Sequence, residues 1–427
     1  MNIDSIMGSF FRRNYRRIMN FQDAPADVHL PDPAPTRNYL LYLHVPFCVV
    51  LCPFCSFHRV EFREARARKY FRALRKEIRM ATDVGYTFKE LYVGGGTPTV
   101  LADELVETLE LVRSLHPLEC VSVETNPHDL DGGNLPQLRG AGVNRLSVGV
   151  QSFDDDPLRE MQRYDKYGSG IEIQSHLQHV SGIFDTLNVD MIFNFPHQDA
   201  ASLAVDLDIL TNVLSVDQIS FYPLMSARST SKPMRREIGT ADYSRERRFY
   251  EMITRHLLAA GYVRSSAWCF SRQTKILDEY IVKHEEYLGL GSGSFSFLNG
   301  SMYANTFSIN HYLQLIEGGK TSCVRQREMT PREQMRYHLL MRLFGGTLDM
   351  AATEERFAGR FRKMLRRELA GLRFIGAIHD FGDTIRLTES GYYLWVVMMQ
   401  EFFSGVNNFR DDMRRHISKE RGTLRAL

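Results

Sequence analysis

Cysteine is scarce in this chain. Six residues in 427 are too few to staple a protein of this length, and three of them fall between positions 48 and 55, which argues against a disulfide framework and for a reducing compartment. An excess of charge of either sign is missing too. The 53 lysines and arginines nearly balance 51 aspartates and glutamates, and a net charge of +2 gives no bulk electrostatic reason to expect nucleic acid or a membrane surface as partner. No apolar run reaches the ~20 residues needed to span a bilayer. The longest near either end, Tyr392 to Phe403, is interrupted by polar residues and reads as a buried helix. The basic segment Ser9 to Arg17 is followed by neither an apolar signal core nor a small-residue cleavage site. The expectation is a cytoplasmic protein with no membrane span.

What the chain does have is concentrated at His44-Val-Pro-Phe-Cys48-Val-Val-Leu-Cys52-Pro-Phe-Cys55, a Cys-x3-Cys-x2-Cys run that begins where the apolar stretch Tyr39–Val45 ends. Structural zinc and ordinary iron–sulfur sites take four protein ligands. Three thiols with no fourth nearby point to a cluster with one open iron, and an open metal position is a reactive one. A zinc knuckle is the alternative, with His58, three residues past Cys55, as its fourth ligand.

The spacing, with the aromatic Phe54 before the last cysteine, resembles the signature of the radical S-adenosylmethionine (SAM) enzymes. The preceding Tyr42-x-His44-x-Pro-Phe47 resembles the oxygen-independent coproporphyrinogen III oxidase-like family within them. The resemblance implies that Cys48, Cys52 and Cys55 hold a [4Fe–4S] cluster whose open iron chelates SAM, with Tyr42, His44 and Phe54 beside it. A single electron from a low-potential donor such as a flavodoxin would then release a 5′-deoxyadenosyl radical.

Between Tyr39 and about Leu224, short β-rich runs alternate with amphipathic ones. Strand candidates are Tyr39–Val45, Glu90–Val93, Cys120–Thr125, Arg145–Val150, Asn188–Phe193 and Gln218–Tyr222, separated by helical stretches such as Arg66–Thr82, Asp103–Leu115 and Ala201–Val213. Such βα alternation implies an α/β fold with a parallel sheet covered by helices. The pattern alone does not separate a flat sheet from a curved one; the resemblance implies the radical SAM partial (β/α)6 barrel.

In such folds the reactive groups lie at the C-terminal ends of the strands, and the remaining motifs recur there. Gly94-Gly95-Gly96-Thr97-Pro98 follows the second strand and resembles the family's GGGTP motif, which contacts the methionyl part of SAM. Glu124-Thr-Asn-Pro127 resembles its Glu-x-x-Pro. Asn144-Arg-Leu-Ser-Val-Gly-Val-Gln151-Ser-Phe-Asp154 implies that Gln151 meets ribose hydroxyls. Arg163 matches an arginine that pairs with the SAM carboxylate, although a lone helical arginine is more often a solvated charge. Asp190, in Asn188-Val-Asp-Met-Ile-Phe-Asn-Phe-Pro-His-Gln198, is a further SAM position.

The chain departs from the family at several places. Asn194 stands where a glycine is usual, which predicts a reshaped substrate cavity, and His197 follows the proline as a candidate axial or acid–base group, or else a plain loop histidine. Met225 to Thr230 replaces the usual segment after the sixth strand. The His-Asn and Tyr-Trp pairs common in the haem-chaperone branch are lacking. Instead, Trp268-Cys-Phe-Ser-Arg272 with Asp278-Glu-Tyr280, and Phe402-Phe-Ser-Gly-Val-Asn-Asn-Phe-Arg410, are similar to the anaerobic haem-degrading methyltransferases of the anaerobilin synthase type. That similarity implies a haem or related tetrapyrrole substrate and two SAM molecules, one of them giving a carbon to a meso position as the ring opens. A propionate-decarboxylating or other methylating enzyme, and a haem-binding chaperone, are the alternatives.

At 427 residues the chain exceeds the ~250–300 at which single cores stop growing. The expected organisation is an arm at 1–38, whose four prolines from Pro25 to Pro35 prevent regular structure, the barrel at 39–225, an extension at 226–328 closing the substrate cavity, and a helical, winged-helix-like cap at 329–427 acting as a lid. Arg12, Arg13, Arg16 and Arg17 in the arm are candidate contacts for an anionic substrate, or a solvated basic face. Leu288-Gly-Leu-Gly-Ser-Gly-Ser-Phe-Ser296 matches a family glycine-rich turn; no Gly-Lys-Ser/Thr follows, so it is not a P-loop. In the cap, Thr330-Pro-Arg-Glu starts a helix with a capping box. A second helix is expected over Arg356–Leu372, its arginines a solvated face, then a β pair from Ile378 to Leu387 and a helix from Glu389.

Overall fold

The computed structural model describes residues 19–25, 27–34, 37–130, 133–225, 228, 236, 243–272 and 286–424. The arm arginines, most of Met225–Thr230, and Asp278-Glu-Tyr280 lie outside the described residues.

Six parallel strands form the centre: β1 (Tyr39–Val45), β2 (Phe88–Gly95), β3 (Cys120–Thr125), β4 (Arg145–Gln151), β5 (Thr186–Phe193) and β6 (Gln218–Pro223). They pair in chain order, each with the next. Every residue of β1 is buried, as expected of a strand covered on both faces. Crossover helices complete the units. In α1 (Glu64–Asp83), Ala67, Tyr70, Phe71, Leu74, Ile78 and Ala81 recur at three- and four-residue spacing and are buried against the sheet. α2 (Ala102–Leu115) docks on α1, where Arg75 pairs with the buried Glu104 across 2.8 Å. The helix expected over Ala201–Val213 is α-helical only from Ala200 to Asp208 and closes as a π turn over Ile209–Val213.

The sheet continues beyond the six strands on both sides. Cys269–Ser271 runs antiparallel along β6, and Tyr287–Leu290 runs parallel along β1, followed by three further antiparallel strands, Phe295–Leu298, Ser301–Asn305 and Cys323–Glu328. The glycines of Leu288–Ser296 are packing requirements of this edge. At Gly289 a Cβ would lie 2.0 Å from the Phe295 carbonyl oxygen, and at Gly293 it would lie 2.3 Å from the His58 ring.

Beyond Met329, Thr330 caps the helix Pro331–Phe344 with a full capping box to Glu333. The single helix expected over Arg356–Leu372 is instead three short ones, Met350–Arg356, Phe361–Met364 and Arg366–Phe374, because Ala358 and Gly359 take positive φ values of 51° and 71°. Strands Thr347–Asp349, Thr384–Leu387 and Ile378–Phe381 form a small antiparallel sheet, and a 36-residue helix, Glu389–Leu424, follows. Its Tyr393–Phe402 turns are buried, with Trp395 fully so. No helix among the described residues is long and apolar enough to cross a membrane.

Candidate functional site

A cavity of about 330 Å³ opens at the C-terminal ends of the central strands, within the range of small-molecule pockets. Cys48, Cys52 and Cys55 all line it, and all three are free thiols. The loop that carries them is fixed from several sides. Phe47–Cys48 pairs with Val60–Glu61, and the Cys55 N–H donates to the Cys52 carbonyl (3.3 Å). The Arg59 guanidinium donates to the Cys55 carbonyl at 2.7 Å and to that of Cys52. Lys166 donates to the Val50 carbonyl (2.7 Å), and Arg414, from the C-terminal helix, donates to the Ser56 (2.6 Å) and Phe57 (3.1 Å) carbonyls.

Beneath the loop, the Tyr42 hydroxyl and His44 Nδ1 are 2.9 Å apart, while His44 Nε2 meets the His58 carbonyl at 2.9 Å. A carbonyl only accepts, so Nε2 carries the proton and Nδ1 accepts from Tyr42. Burial pushes the His44 pKa down to about 4, leaving the ring neutral at pH 7. Burial, reinforced by the Glu124 charge, also holds the Tyr42 hydroxyl protonated.

The triple glycine makes room for these groups. A Cβ at Gly94 would lie 2.7 Å from the Glu124 carboxylate carbon, one at Gly95 would lie 2.7 Å from the His44 ring, and one at Gly96 would lie 2.6 Å from the Phe47 carbonyl oxygen. Gly95 also adopts φ +123°, which side chains rarely tolerate. Glu124 lies in the space thus left, accepting from the Tyr92 hydroxyl and the Gly95 N–H, both at 3.0 Å. Gly95, Gly96 and Thr97 reach the cavity; Gly94 does not, since Glu124 lies over it.

On the next strands, Gln151 sits at a β-bulge with φ +78° and lines the cavity, as does Asp190, whose carboxylate accepts from Ser147 (2.9 Å) and Asn188 (2.8 Å). Arg163 is not a solvated charge: it is 4% exposed, donates to the Gly149 carbonyl, and stacks 4.3 Å above the Tyr167 ring. Burial pushes the Cys48 thiol up to about 11, and the Thr97 hydroxyl, 3.6 Å away, opposes the shift.

Among the residues of this site that were not read from the sequence are Asn126 and Lys166. Asn126 Nδ2 donates to Thr97 Oγ1 (2.8 Å) while its Oδ1 faces Arg163 Nη2 (3.5 Å), which links the loop after β2 to the arginine. It occupies an unspecified position inside Glu124-Thr-Asn-Pro127. Lys166 lies one helical turn after Arg163, and that spacing was the available signal.

Two alternatives left open by the sequence are decided, and one expectation, at Asn194, is corrected. His58 lines no part of the cavity; it stacks on His44 at 5.8 Å and packs edge-on to Phe307, so the zinc site completed by His58 is not formed. His197 is a loop histidine: its side chain is 75% exposed and lies 3.7 Å from Glu160, outside the cavity. Asn194 does not reshape the cavity. At φ +70°, fully buried, it turns into a network with Gln198, Arg245 and Glu246, and Glu246 in turn accepts from Tyr393 (3.2 Å).

The far wall is aromatic. Tyr222 and Trp268 lie 5.2 Å apart, Trp268 and Phe403 5.7 Å, and Phe402, Val406 and Arg410 continue the roof.

The sequence model of the radical SAM superfamily matches residues 42–200, the stretch that carries every strand-end residue above except those of β6. The heme chaperone HemW of Bacillus subtilis (strain 168) is 27% identical over 369 residues, covering 83% of this chain and 96% of that protein. The anaerobilin synthase of Escherichia coli O157:H7 is 28% identical over 301 residues, 67% of each chain. The solved structure of the coproporphyrinogen III oxidase (HemN) from Escherichia coli superposes with a TM-score of 0.72 at 23% identity, covering 86% of this chain and 91% of that one. The chain therefore carries a radical SAM domain over residues 42–200 and is similar to the oxygen-independent coproporphyrinogen III oxidase-like proteins.

Proposed function

We propose that the protein is a radical SAM enzyme that opens the haem macrocycle, transferring a SAM-derived carbon to a meso position and releasing iron. Membership of the superfamily implies a [4Fe–4S] cluster and SAM, and the residues present fit them. Three free thiols share one cavity, and the Cys48 thiol, held protonated by burial, gains its charged form when bound to iron. Among the described residues, no group of three or more His, Cys, Asp or Glu side chains converges on a point suited to one metal ion. In a cluster each cysteine meets a different iron, and three thiols lining one cavity suit that arrangement.

In this reading Cys48, Cys52 and Cys55 hold the cluster. Gly95, Gly96, Thr97, Glu124, Gln151, Arg163 and Asp190 line the place for SAM, with Tyr42, His44 and Phe54 beside it and Gly94 giving Glu124 its room. When bound, cluster and SAM supply one-electron cleavage of the sulfonium and a radical able to abstract hydrogen. The chain's own part is placement. Tyr42 and His44 keep the cysteine loop fixed without adding charge, Arg163 offers a buried cation to a carboxylate, and the C-terminal helix excludes water.

The observation that carries the choice of substrate is that the segments similar to the haem-degrading group, through Trp268, Phe402, Phe403, Val406 and Arg410, form the cavity's aromatic wall. Flat aromatic surfaces suit a planar macrocycle, and a buried arginine suits its propionates. A second reading, a haem chaperone, is favoured by the breadth of the match to a protein of that name.

An anaerobic assay of cluster-reconstituted protein with SAM, a low-potential reductant and haem separates the readings. Haem-dependent 5′-deoxyadenosine and S-adenosylhomocysteine together with a methylated linear tetrapyrrole support ring opening. A ring-intact, decarboxylated product points to the oxidase type. Bound but intact haem with no SAM consumed replaces the enzyme by the chaperone.

A further inference from the structure

Lys166 stands out within the cavity because it touches the cysteine loop twice. It lies on the single helical turn Tyr164–Tyr167, which follows directly on Arg163. Its Nζ donates to the Val50 carbonyl at 2.7 Å and lies 3.7 Å from Cys52 Sγ. The ammonium also sits 4.6 Å from the centre of the Tyr167 ring, whose surface the Arg163 guanidinium shares at 4.3 Å. Tyr167 is thus a buried aromatic platform that presents one cation to the SAM side of the cavity and the other to a cysteine sulfur.

We propose that Lys166 is a positioning residue that sets how readily the cluster is reduced, acting through Cys52. This rests on the reading of Cys48, Cys52 and Cys55 as cluster ligands. Reduction adds one electron, taken from an external low-potential one-electron donor, to a cluster held by thiolates. The added negative charge is stabilised by a cation and by a hydrogen bond to a ligating sulfur. In a half-buried position such an interaction is screened far less than in water. The Thr97 hydroxyl does the same for Cys48 at 3.6 Å, but as a neutral donor. Lys166 thus sets a positive charge at contact distance from Cys52, as the Arg59 guanidinium does for Cys55.

A merely structural lysine would pin the Val50 carbonyl and nothing more, so the test needs a redox readout. Wild type, Lys166→Met and Lys166→Arg are reconstituted anaerobically, and each is assayed for iron and sulfide and titrated with dithionite while the reduced cluster is followed by electron paramagnetic resonance. The expected result is equal iron in all three, a more negative midpoint for Lys166→Met, with the reduced-to-oxidised ratio at a fixed potential down about tenfold or more, and recovery in Lys166→Arg. Full iron with an unchanged midpoint in Lys166→Met overturns the proposal. Loss of iron in both variants also overturns it, assigning Lys166 to loop structure. A wild type that binds no cluster sinks the reading of the cysteines themselves and the proposal with it.

Discussion

The Asn126 amide donates to the Thr97 hydroxyl across 2.8 Å, and its carbonyl oxygen faces Arg163, so one side chain orients both a donor to Cys48 and the buried cation of the cavity. Asn126→Ala removes both contacts without touching a thiol. The expected outcome is cluster iron as in wild type but SAM binding weakened about 10- to 100-fold, since hydrogen bonds to charged groups contribute ~1.5–3 kcal/mol. Equilibrium binding of SAM to reconstituted protein reads this directly.

Cys52→Ala is expected to abolish both cluster iron and SAM cleavage, because among the described residues no cysteine beyond Cys48, Cys52 and Cys55 lines the cavity to replace it. Iron and sulfide analysis of the reconstituted variant checks this; full iron with retained activity would falsify the assignment of the site.

Gly95→Ala forces a side chain into φ +123° and to 2.7 Å from the His44 ring. The combined strain and overlap should cost about 3 kcal/mol or more. Gly376→Ala, at φ +68° with nothing within 4 Å of the new Cβ, should cost only ~1 kcal/mol. Urea unfolding of both variants separates the clash from the backbone strain.

Asn194→Gly restores the residue usual in the family. Since Asn194 is bonded to Gln198, Arg245 and Glu246 and not to the cavity, stability should fall by about 1–2 kcal/mol while tetrapyrrole affinity stays unchanged. A large change in affinity with intact stability would show that the side chain does shape the cavity.

Asp206 supplies a pH dependence. Burial pushes its carboxyl up to about 7, against the bonds it accepts from the Phe153 N–H (2.9 Å) and Ser152 (3.1 Å). The folded state therefore holds this proton more tightly than the unfolded one. Its contribution to stability is fully present below about pH 4 and is lost as pH rises to about 7, by on the order of a few kcal/mol. Unfolding free energies of wild type minus Asp206→Asn, measured at pH 5 and pH 8, should fall with rising pH.

The central strands were legible because β-rich runs of four to seven residues alternate with helical periodicity, and the strand-end motifs then located the cavity. What escaped followed from physics that a motif does not encode. Asparagine in place of glycine at position 194 reports a left-handed backbone, not the direction of the side chain, and burial with Glu246 decided that direction. Apolar spacing over Arg356–Leu372 fits a helix, yet Ala358 and Gly359 leave the helical region and split it. Arg163 was named from its motif, but the Tyr167 ring it lies on was not, because an isolated arginine carries no sign of the ring it will stack on. The strand Tyr287–Leu290 was hidden in a glycine-rich stretch whose glycines answer to neighbours distant in sequence, His58 among them.

The bond from Arg414 to the Ser56 carbonyl joins residues 358 positions apart. A ribosome finishes the cysteine loop long before it makes the helix that braces it. Once Glu389–Leu424 has docked, Arg414 holds the Ser56 and Phe57 carbonyls, and Phe402, Phe403 and Val406 line the cavity beside the thiols. The final shape of a loop made early in synthesis thus waits on the last helix of the chain.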